Sequence, residues 1–257
     1  MPDGYRADAV GDTDEAHALA PGLIKKYEGR GLLVTTGACA VNCRFCFRRN
    51  YPYSQINAGG PALRSALQEV QQDTSISELI LSGGDPLSLP TPVLGRLFEE
   101  IRSIPHIKRV RIHSRMPVVL PDRIDGDLLE LLRATPRLRF WFVTHFNCVE
   151  EVTRDAQGAC QRLLDIGIPV LNQSVLLRGV NETVQGQKLL LEALVDAGVK
   201  PYYLHQLDRV SGAAHFEVEE NQGGAMLEEL RGRVTGLAMP VWVRDESGEK
   251  SKTPLRT

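Results

Sequence analysis

The stretch "ELILSGGDPLSLPTPVLGRLFEEIRSIPHIKRVRIHS", residues 78–114, indicates most clearly how this chain folds. Two short runs, "ELILSG" (78–83) and "RVRIHS" (109–114), flank "PVLGRLFEEIRSI" (92–104), in which apolar residues recur at spacings of three and four. The short runs are typical of strands, and the middle segment is typical of an amphipathic helix. A strand, a helix and a strand in this order predict a βαβ unit with a parallel sheet.

The same alternation continues along the chain. Further strand-like runs occur at 31–36, 139–146, 168–177, 200–207 and 240–244, and helix-like segments at 125–135 and 186–199. This repetition predicts an α/β fold built on a parallel, partial TIM-like barrel of about six strands. We expect two parts: an irregular acidic stretch at 1–20 and the barrel core at 21–257.

Composition excludes several classes of protein. The 257 residues carry 30 Lys and Arg against 32 Asp and Glu, a net charge of −2, so nucleic acid is not expected as a direct ligand. No apolar run is long enough for a membrane span, and the N-terminus does not resemble a secretory signal. An odd number of cysteines, three of them clustered, favours a reducing cytoplasm over a disulfide framework.

The clustered cysteines lie in "TTGACAVNCRFCFRRNYPY", residues 35–53, directly after the first strand-like run. Structural zinc needs four ligands in paired spacings, whereas Cys148 and Cys160 stand alone and apart. Three thiolates on one loop suit an iron–sulfur cluster, whose usual complement is four cysteines, with one iron left open for another ligand. Buried free thiols and a zinc-binding interaction module remain the alternatives from the residues alone.

The spacing Cys39-x3-Cys43-x2-Cys46, with Phe45 before the last cysteine, resembles the motif of the radical S-adenosylmethionine superfamily. This resemblance implies a 4Fe–4S cluster whose open iron binds S-adenosylmethionine, which is cleaved to a 5′-deoxyadenosyl radical. It also implies an electron donor of the flavodoxin or ferredoxin type.

Further motifs narrow the resemblance. The runs "CAVNCRFCFRR", "LSGGDPL", "RIHSRMPVVLP", "THFN", "LNQSVLLRGVN", "PYYLHQLD…GAAHF" and "SKTPL" occur in this order. Together they resemble the lysine 2,3-aminomutase family from about Pro21 to Leu255. The forms "YYLHQLD" and "GAAHF" are closest to the branch that serves elongation factor P, the EpmB branch. The resemblance implies conversion of L-α-lysine to (R)-β-lysine, which a partner ligase attaches to elongation factor P.

The resemblance also assigns site residues. The cluster ligands are Cys39, Cys43 and Cys46, and the S-adenosylmethionine site comprises Ser82, Gly83, Gly84, Asp85, His145 and Gln173. Lys252 in "SKTPL" corresponds to the lysine that binds pyridoxal phosphate covalently, and Tyr27 and Arg30 to residues that contact this cofactor. Arg48 corresponds to the clamp of the substrate carboxylate, a task for which a planar bidentate donor is suited. Asp208 and Asp245 correspond to the two acids that bind the distal ammonium of lysine.

Departures from the family keep alternatives open. Lys26 stands where the family often has an arginine, so the charge is kept without the planar fork. The family's C-terminal cysteine-bearing extension is missing after "SKTPLRT", and we therefore expect no zinc. Relatives also carry a helical segment before "PGLIKKY", so a truncated, catalytically impaired iron–sulfur protein is one alternative. An ordinary lysine or glutamate 2,3-aminomutase is another, although an acidic substrate would be repelled by Asp208 and Asp245.

Overall fold

The computed structural model describes residues 4–55 and 60–256. Ten strands form one sheet: β1 (Ala18–Ala20), β2 (Leu23–Ile24), β3 (Arg30–Thr36), β4 (Glu78–Gly83), β5 (Arg109–His113), β6 (Arg139–Thr144), β7 (Val170–Val175), β8 (Lys200–His205), β9 (Val241–Arg244) and β10 (Thr253–Pro254). The helices are α1 (Pro61–Gln72), α2 (Thr91–Ser103), α3 (Met116–Val119), α4 (Gly126–Arg133), α5 (Arg154–Asp165), α6 (Val184–Asp196) and α7 (Glu220–Arg231). No helix in these two ranges combines the length and the apolar character that crossing a membrane requires.

The strands follow one another in chain order across the sheet. Strands β3 to β9 are parallel, and short antiparallel strands flank them at both ends. Within the described ranges no pairing joins β1 to β10, so the barrel stays open. All seven strand-like runs of the sequence form strands, and the predicted partial parallel barrel is confirmed.

Successive side chains along a strand point alternately into the hydrophobic core and into the barrel interior. In β4, Leu79 and Leu81 are fully buried in the core cluster that also holds Phe98 of α2. Each such side chain contributes about 1.5–3 kcal/mol to folding. Ile80 and Ser82 have the opposite orientation and line the cavity inside the barrel. The sheet therefore carries its polar side chains on its inner face.

The N-terminal stretch is packed against the barrel. The backbone N–H of Arg6 donates to Arg209 O at 2.9 Å, and Arg6 forms a parallel bridge with Val210, in the loop after β8. Val10 and Asp12 are both buried. The expected division of the chain after residue 20 stays a prediction, but this stretch brings a charged side chain close to the barrel interior.

Candidate active site

One cavity of about 670 Å³ opens at the carboxyl ends of the parallel strands. Its lining includes all the site residues singled out in the sequence: Tyr27, Arg30, Cys39, Cys43, Cys46, Arg48, Ser82, Gly83, Gly84, Asp85, His145, Gln173, Asp208, Asp245 and Lys252. A volume of this size is typical of small-molecule and cofactor sites. Residues that are far apart in the sequence therefore share one pocket, as expected for the active end of a parallel α/β barrel.

The cysteine loop, residues 37–46, follows β3. Cys39 is exposed, and Cys43 and Cys46 are partly buried. The Sγ atom of Cys43 accepts a hydrogen bond of 2.9 Å from Nη1 of Arg115. Burial raises the pKa of Cys39 to about 11, and Asp85, Cys46 and Cys43 add to this effect. The neighbouring thiols disfavour one another's ionisation. A bound metal cation would offset this effect, because the thiolate is the form that binds metal.

Among the described residues, no three His, Cys, Asp or Glu side chains converge on a point where one metal ion could sit. An iron–sulfur cluster has less need of such convergence, because each thiolate binds a different iron. The three cysteines of one loop thus fit a cluster better than a single ion. The expectation that the chain binds no zinc stays a prediction.

The SGGD segment, residues 82–85, lies directly under the cysteine loop. The N–H groups of Gly84 and Asp85 donate to the Thr36 and Ala38 carbonyls at 2.7 and 2.8 Å. A Cβ atom on Gly84 would lie 2.3 Å from the Ala38 oxygen, and Gly83 has a φ of +122°. Only glycine allows this approach of two backbones, which fixes the floor of the cavity beside the cysteines.

The carboxylate of Asp85 ties the loops after β4 and β5 together. Its Oδ1 accepts from the Ser114 hydroxyl at 2.7 Å and from the Leu87 N–H at 2.9 Å. Its Oδ2 accepts from the Arg115 N–H at 2.8 Å. Burial raises the pKa of Asp85, while these hydrogen bonds oppose the rise. The carboxylate is therefore engaged with the protein, and its contribution to the cavity is to hold the loops after β4 and β5 in place.

Three histidines supply buried ring nitrogens that have no hydrogen-bond partner among the described residues. His113, His145 and His205 line the cavity, and the Nε2 atom of each is buried and lacks a hydrogen-bond partner within the described part of the chain. Burial lowers the pKa of His145 to about 3, with Arg115 adding to the effect, and lowers those of His113 and His205 well below the ordinary value. Neutral imidazoles whose Nε2 atoms are buried and unpartnered fit a cavity built for a polar ligand.

A cationic region lies on one side of the cavity. Nε of Arg48 donates to Asp12 Oδ2 at 2.6 Å, and the Lys26 ammonium lies 2.6 Å from Asp12 Oδ1. Nη1 of Arg48 also donates to the Ser82 hydroxyl at 2.8 Å. Burial alone would raise the pKa of Asp12, but Arg48 and Lys26 lower it to about 2. Two cations thus share one buried carboxylate, an arrangement suited to binding anionic groups.

An acidic region completes the pocket. The Lys252 ammonium pairs with Oδ2 of Asp245, and the Tyr27 hydroxyl donates to Oδ1 at 3.0 Å. The guanidinium of Arg30 lies 4.6 Å from the centre of the Tyr27 ring. Burial and the nearby Asp245 raise the pKa of Asp208 to about 7, while Lys252 opposes the rise. Two carboxylates near one cation form an arrangement that suits an ammonium group.

Sequence reasoning did not single out all the residues of this site. Asp12 comes from a stretch without periodicity, so no pattern could indicate that its carboxylate is buried. His113 and His205 end β5 and β8, and their places in "HSR" and "HQLD" at the strand ends were the available signal. Arg115 stands in the same "HSR" run, but its contact with Cys43 depends on the folded loops.

Comparison with known proteins connects this pocket to a family. Residues 27–114 match a family model described as a 4Fe–4S single cluster domain. The chain is 45% identical over 252 residues to L-lysine 2,3-aminomutase of Escherichia coli strain K12, covering 98% of this chain and 72% of that protein. It is 39% identical over 251 residues to L-lysine 2,3-aminomutase of Haemophilus influenzae, covering 98% of this chain and 73% of the relative.

Solved structures agree on the fold. Native anSMEcpe with bound AdoMet and a peptide superposes with a TM-score of 0.60 at 12% identity, covering 79% of this chain and 58% of that one. A radical SAM methyltransferase from Sphaerobacter thermophilus gives a TM-score of 0.57 at 16% identity, covering 86% and 68%. At these identities the likeness concerns the fold, and it is the open α/β barrel described above.

Proposed function

Because this chain belongs to the L-lysine 2,3-aminomutase family, we propose that it converts L-α-lysine to (R)-β-lysine with pyridoxal phosphate as its second organic cofactor. The chain is a radical S-adenosylmethionine isomerase of the aminomutase type. The observation that carries the substrate proposal is the pair Asp208 and Asp245, held in the same cavity as the cysteine loop. Such a pair selects an amino acid with a distal ammonium and repels an acidic one.

We assign the cluster to Cys39, Cys43 and Cys46, and S-adenosylmethionine to the SGGD segment with His145 and Gln173. The cysteine loop and the SGGD segment are joined by backbone hydrogen bonds, so ligands of the two would be adjacent. The orphaned Nε2 of His145 supports contact with a polar ligand. Placement within a fraction of an ångström is the main contribution of a protein to such chemistry.

Lys252, Tyr27 and Arg30 are the proposed residues for pyridoxal phosphate, and Lys26 adds a partly buried cation to the same cavity. When bound, the cofactors supply a carbon radical that removes hydrogen from C3 of lysine and a π system across which the nitrogen migrates. The chain itself binds the substrate, orients it and shields it from solvent. The neutral imidazoles of His113 and His205, whose Nε2 atoms are buried, line the cavity and help to keep water away from reactive species.

Both ends of lysine have a proposed partner. Arg48 is buried and held in place by Asp12 and Ser82, which leaves a preorganised guanidinium for the substrate carboxylate. Asp208 and Asp245 bind the distal ammonium. Fixing both ends of a flexible substrate places C2 and C3 between them, which is what a hydrogen abstraction at one carbon and a migration from its neighbour require.

We further propose that the product serves the modification of elongation factor P by a partner ligase, and that the reaction takes place in the cytoplasm. The form "YYLHQLD", in which His205 lines the cavity, supports this branch of the family. The cluster would be reduced by a flavodoxin or ferredoxin. The exposed Arg44, in the cysteine loop, and the exposed Arg49, just after it, suit an acidic donor surface.

An anaerobic assay tests the reaction. The protein is reconstituted with iron, sulfide and pyridoxal phosphate, reduced, and given S-adenosylmethionine and L-lysine, and β-lysine is measured by chiral chromatography. We expect (R)-β-lysine from the wild type and none from Lys252→Ala, whereas Lys250→Ala, which changes an exposed neighbour, keeps the activity. Formation of 5′-deoxyadenosine without β-lysine would show that the substrate is wrong.

A further inference from the structure

The ammonium subsite, formed by Asp208 and Asp245, is already occupied by a side chain of the protein. The Lys252 ammonium pairs with Oδ2 of Asp245, and the Tyr27 hydroxyl donates to Oδ1. Both oxygens of this carboxylate therefore have protein partners. The side chains of the pair are only 22% and 13% exposed, so the contact is not a surface encounter.

The backbone makes this pairing a built feature. Strand β10 pairs antiparallel with β9, with Thr253 opposite Arg244 and Pro254 opposite Val243. Extending this register by one residue places Lys252 opposite Asp245. Residues 245–252 are the connection of this hairpin, and the hairpin itself therefore brings the lysine to the carboxylate.

The occupant has the chemistry of the expected ligand. Lys252 ends in a primary alkylammonium on a four-carbon chain, the same group that a free lysine would present. Asp208 adds a second carboxylate to the same cavity, and Lys252 lies near enough to lower its pKa while burial and Asp245 raise it. A ligand ammonium and Lys252 cannot both hold Oδ2 of Asp245 with full strength.

We propose that Lys252 is the resting occupant of the ammonium subsite, and that its covalent binding to pyridoxal phosphate opens this subsite for the distal ammonium of the substrate. The inference rests on the proposed function. In the binding step, the Lys252 ammonium loses one proton to solvent, its nitrogen forms a C=N bond to the aldehyde carbon, and the aldehyde oxygen leaves as water. One positive charge leaves Asp245, and the substrate ammonium restores it.

This exchange couples cofactor loading to substrate selection. Before pyridoxal phosphate binds, the Lys252 ammonium neutralises Asp245, and the subsite therefore has little affinity for lysine. After loading, Asp245 lacks its counter-ion, which costs free energy until an ammonium binds. Lysine is therefore admitted when the cofactor that must act on it is in place.

The test uses the protein without cofactor, so it does not depend on turnover. The probe is 6-aminohexanoate, which has the carboxylate and distal ammonium of lysine but no α-amine, and its dissociation constant is measured by calorimetry. We expect Lys252→Ala to bind the probe at least about tenfold more tightly than the wild type, because a charged contact is freed. Lys252→Arg, which keeps a cation beside Asp245, and the control Lys250→Ala should bind like the wild type.

Hexanoate, which lacks the ammonium, should bind equally to all four proteins, and matching thermal melts check that they are folded. The proposal is overturned if Lys252→Ala binds the probe no more tightly than the wild type, or if Lys252→Arg binds it as tightly as Lys252→Ala. Failure of the proposed reaction has a different signature. In that case the calorimetry follows our expectation while the reconstituted wild type makes no β-lysine.

Discussion

The ionisation of Asp208 should control how strongly the pocket binds an ammonium. Burial and the nearby Asp245 raise its pKa to about 7, against an ordinary value of 3.8. Asp12 adds to the rise, and Lys252 and Lys26 oppose it. At pH 6 about one tenth of the Asp208 side chains are ionised and at pH 8 about nine tenths, so affinity that requires the carboxylate rises about tenfold, or about 1.4 kcal/mol.

The sign follows from the proton count. A raised pKa means that below about pH 7 Asp208 holds a proton that ammonium binding must release, so affinity increases with pH. The assay is calorimetry with 6-aminohexanoate between about pH 6 and pH 8, where the charges of the probe stay constant. Asp208→Asn should bind weakly with a flat profile, whereas Asp196→Asn, an exposed matched change, should follow the wild type.

Two results would refute this reasoning. A flat profile in the wild type would show that Asp208 is already ionised at pH 6 or takes no part in binding. A slope that survives in Asp208→Asn would place the titrating group elsewhere in the cavity.

Further predictions concern the loops and the buried charges. Cys43→Ala should lose the brown cluster absorbance and all activity, whereas Cys148→Ala should keep both, as visible spectra and the β-lysine assay can show. Asp12→Asn should lower the free energy of unfolding at pH 7 by about 2 kcal/mol, because two cations depress the pKa of this carboxyl to about 2. That difference should fade as the pH falls from about 4 to 2 in urea titrations, since the depressed carboxyl gains its proton there. Gly84→Ala should destabilise the fold by about 1–3 kcal/mol and weaken S-adenosylmethionine binding, because a Cβ there would lie 2.3 Å from a carbonyl oxygen of the cysteine loop. Gly95 lies inside α2, and a Cβ atom added there would be 3.6 Å from its nearest neighbour, Leu131. Gly95→Ala should therefore leave the free energy of unfolding unchanged or raise it by about 0.5–1 kcal/mol in the same titrations.

The parallel barrel was accessible from the sequence because its strands are long enough to show a pattern. The run 78–83 forms β4 with the same bounds, and 109–114 forms β5 one residue shorter. Strands β1, β2 and β10 have three, two and two residues, too few for any alternation to be visible. Their pairing depends on strands that are already in place.

Helix α7 was not indicated by the sequence because it contains Gly223 and Gly224, which disfavour a helix. The structure gives a packing reason for the first of these. A Cβ atom on Gly223 would lie 2.9 Å from Leu176 and 3.0 Å from Trp242, so the small residue lets α7 approach the sheet. Tertiary contact thus outweighs local propensity at this helix.

The candidate site likewise has one part that the sequence predicts and another that only the folded chain reveals. Cys39, Cys43 and Cys46 were accessible because their spacing on one loop carries the chemistry. The contact of Asp12 with Arg48 and that of Lys252 with Asp245 join side chains from different elements, so they follow only from the folded chain. Motifs indicated which residues matter, and the fold supplies their partners.

The central claim is that the nitrogen of lysine moves from C2 to C3 within one molecule. The most direct measurement follows L-lysine labelled with ¹⁵N at the α-amine by NMR spectroscopy, in the anaerobic, fully reconstituted protein. We predict that the label appears bonded to C3 of β-lysine without exchange with unlabelled ammonium in the buffer. Release of the label as free ammonium, or labelled lysine that stays unchanged while 5′-deoxyadenosine accumulates, would contradict the claim.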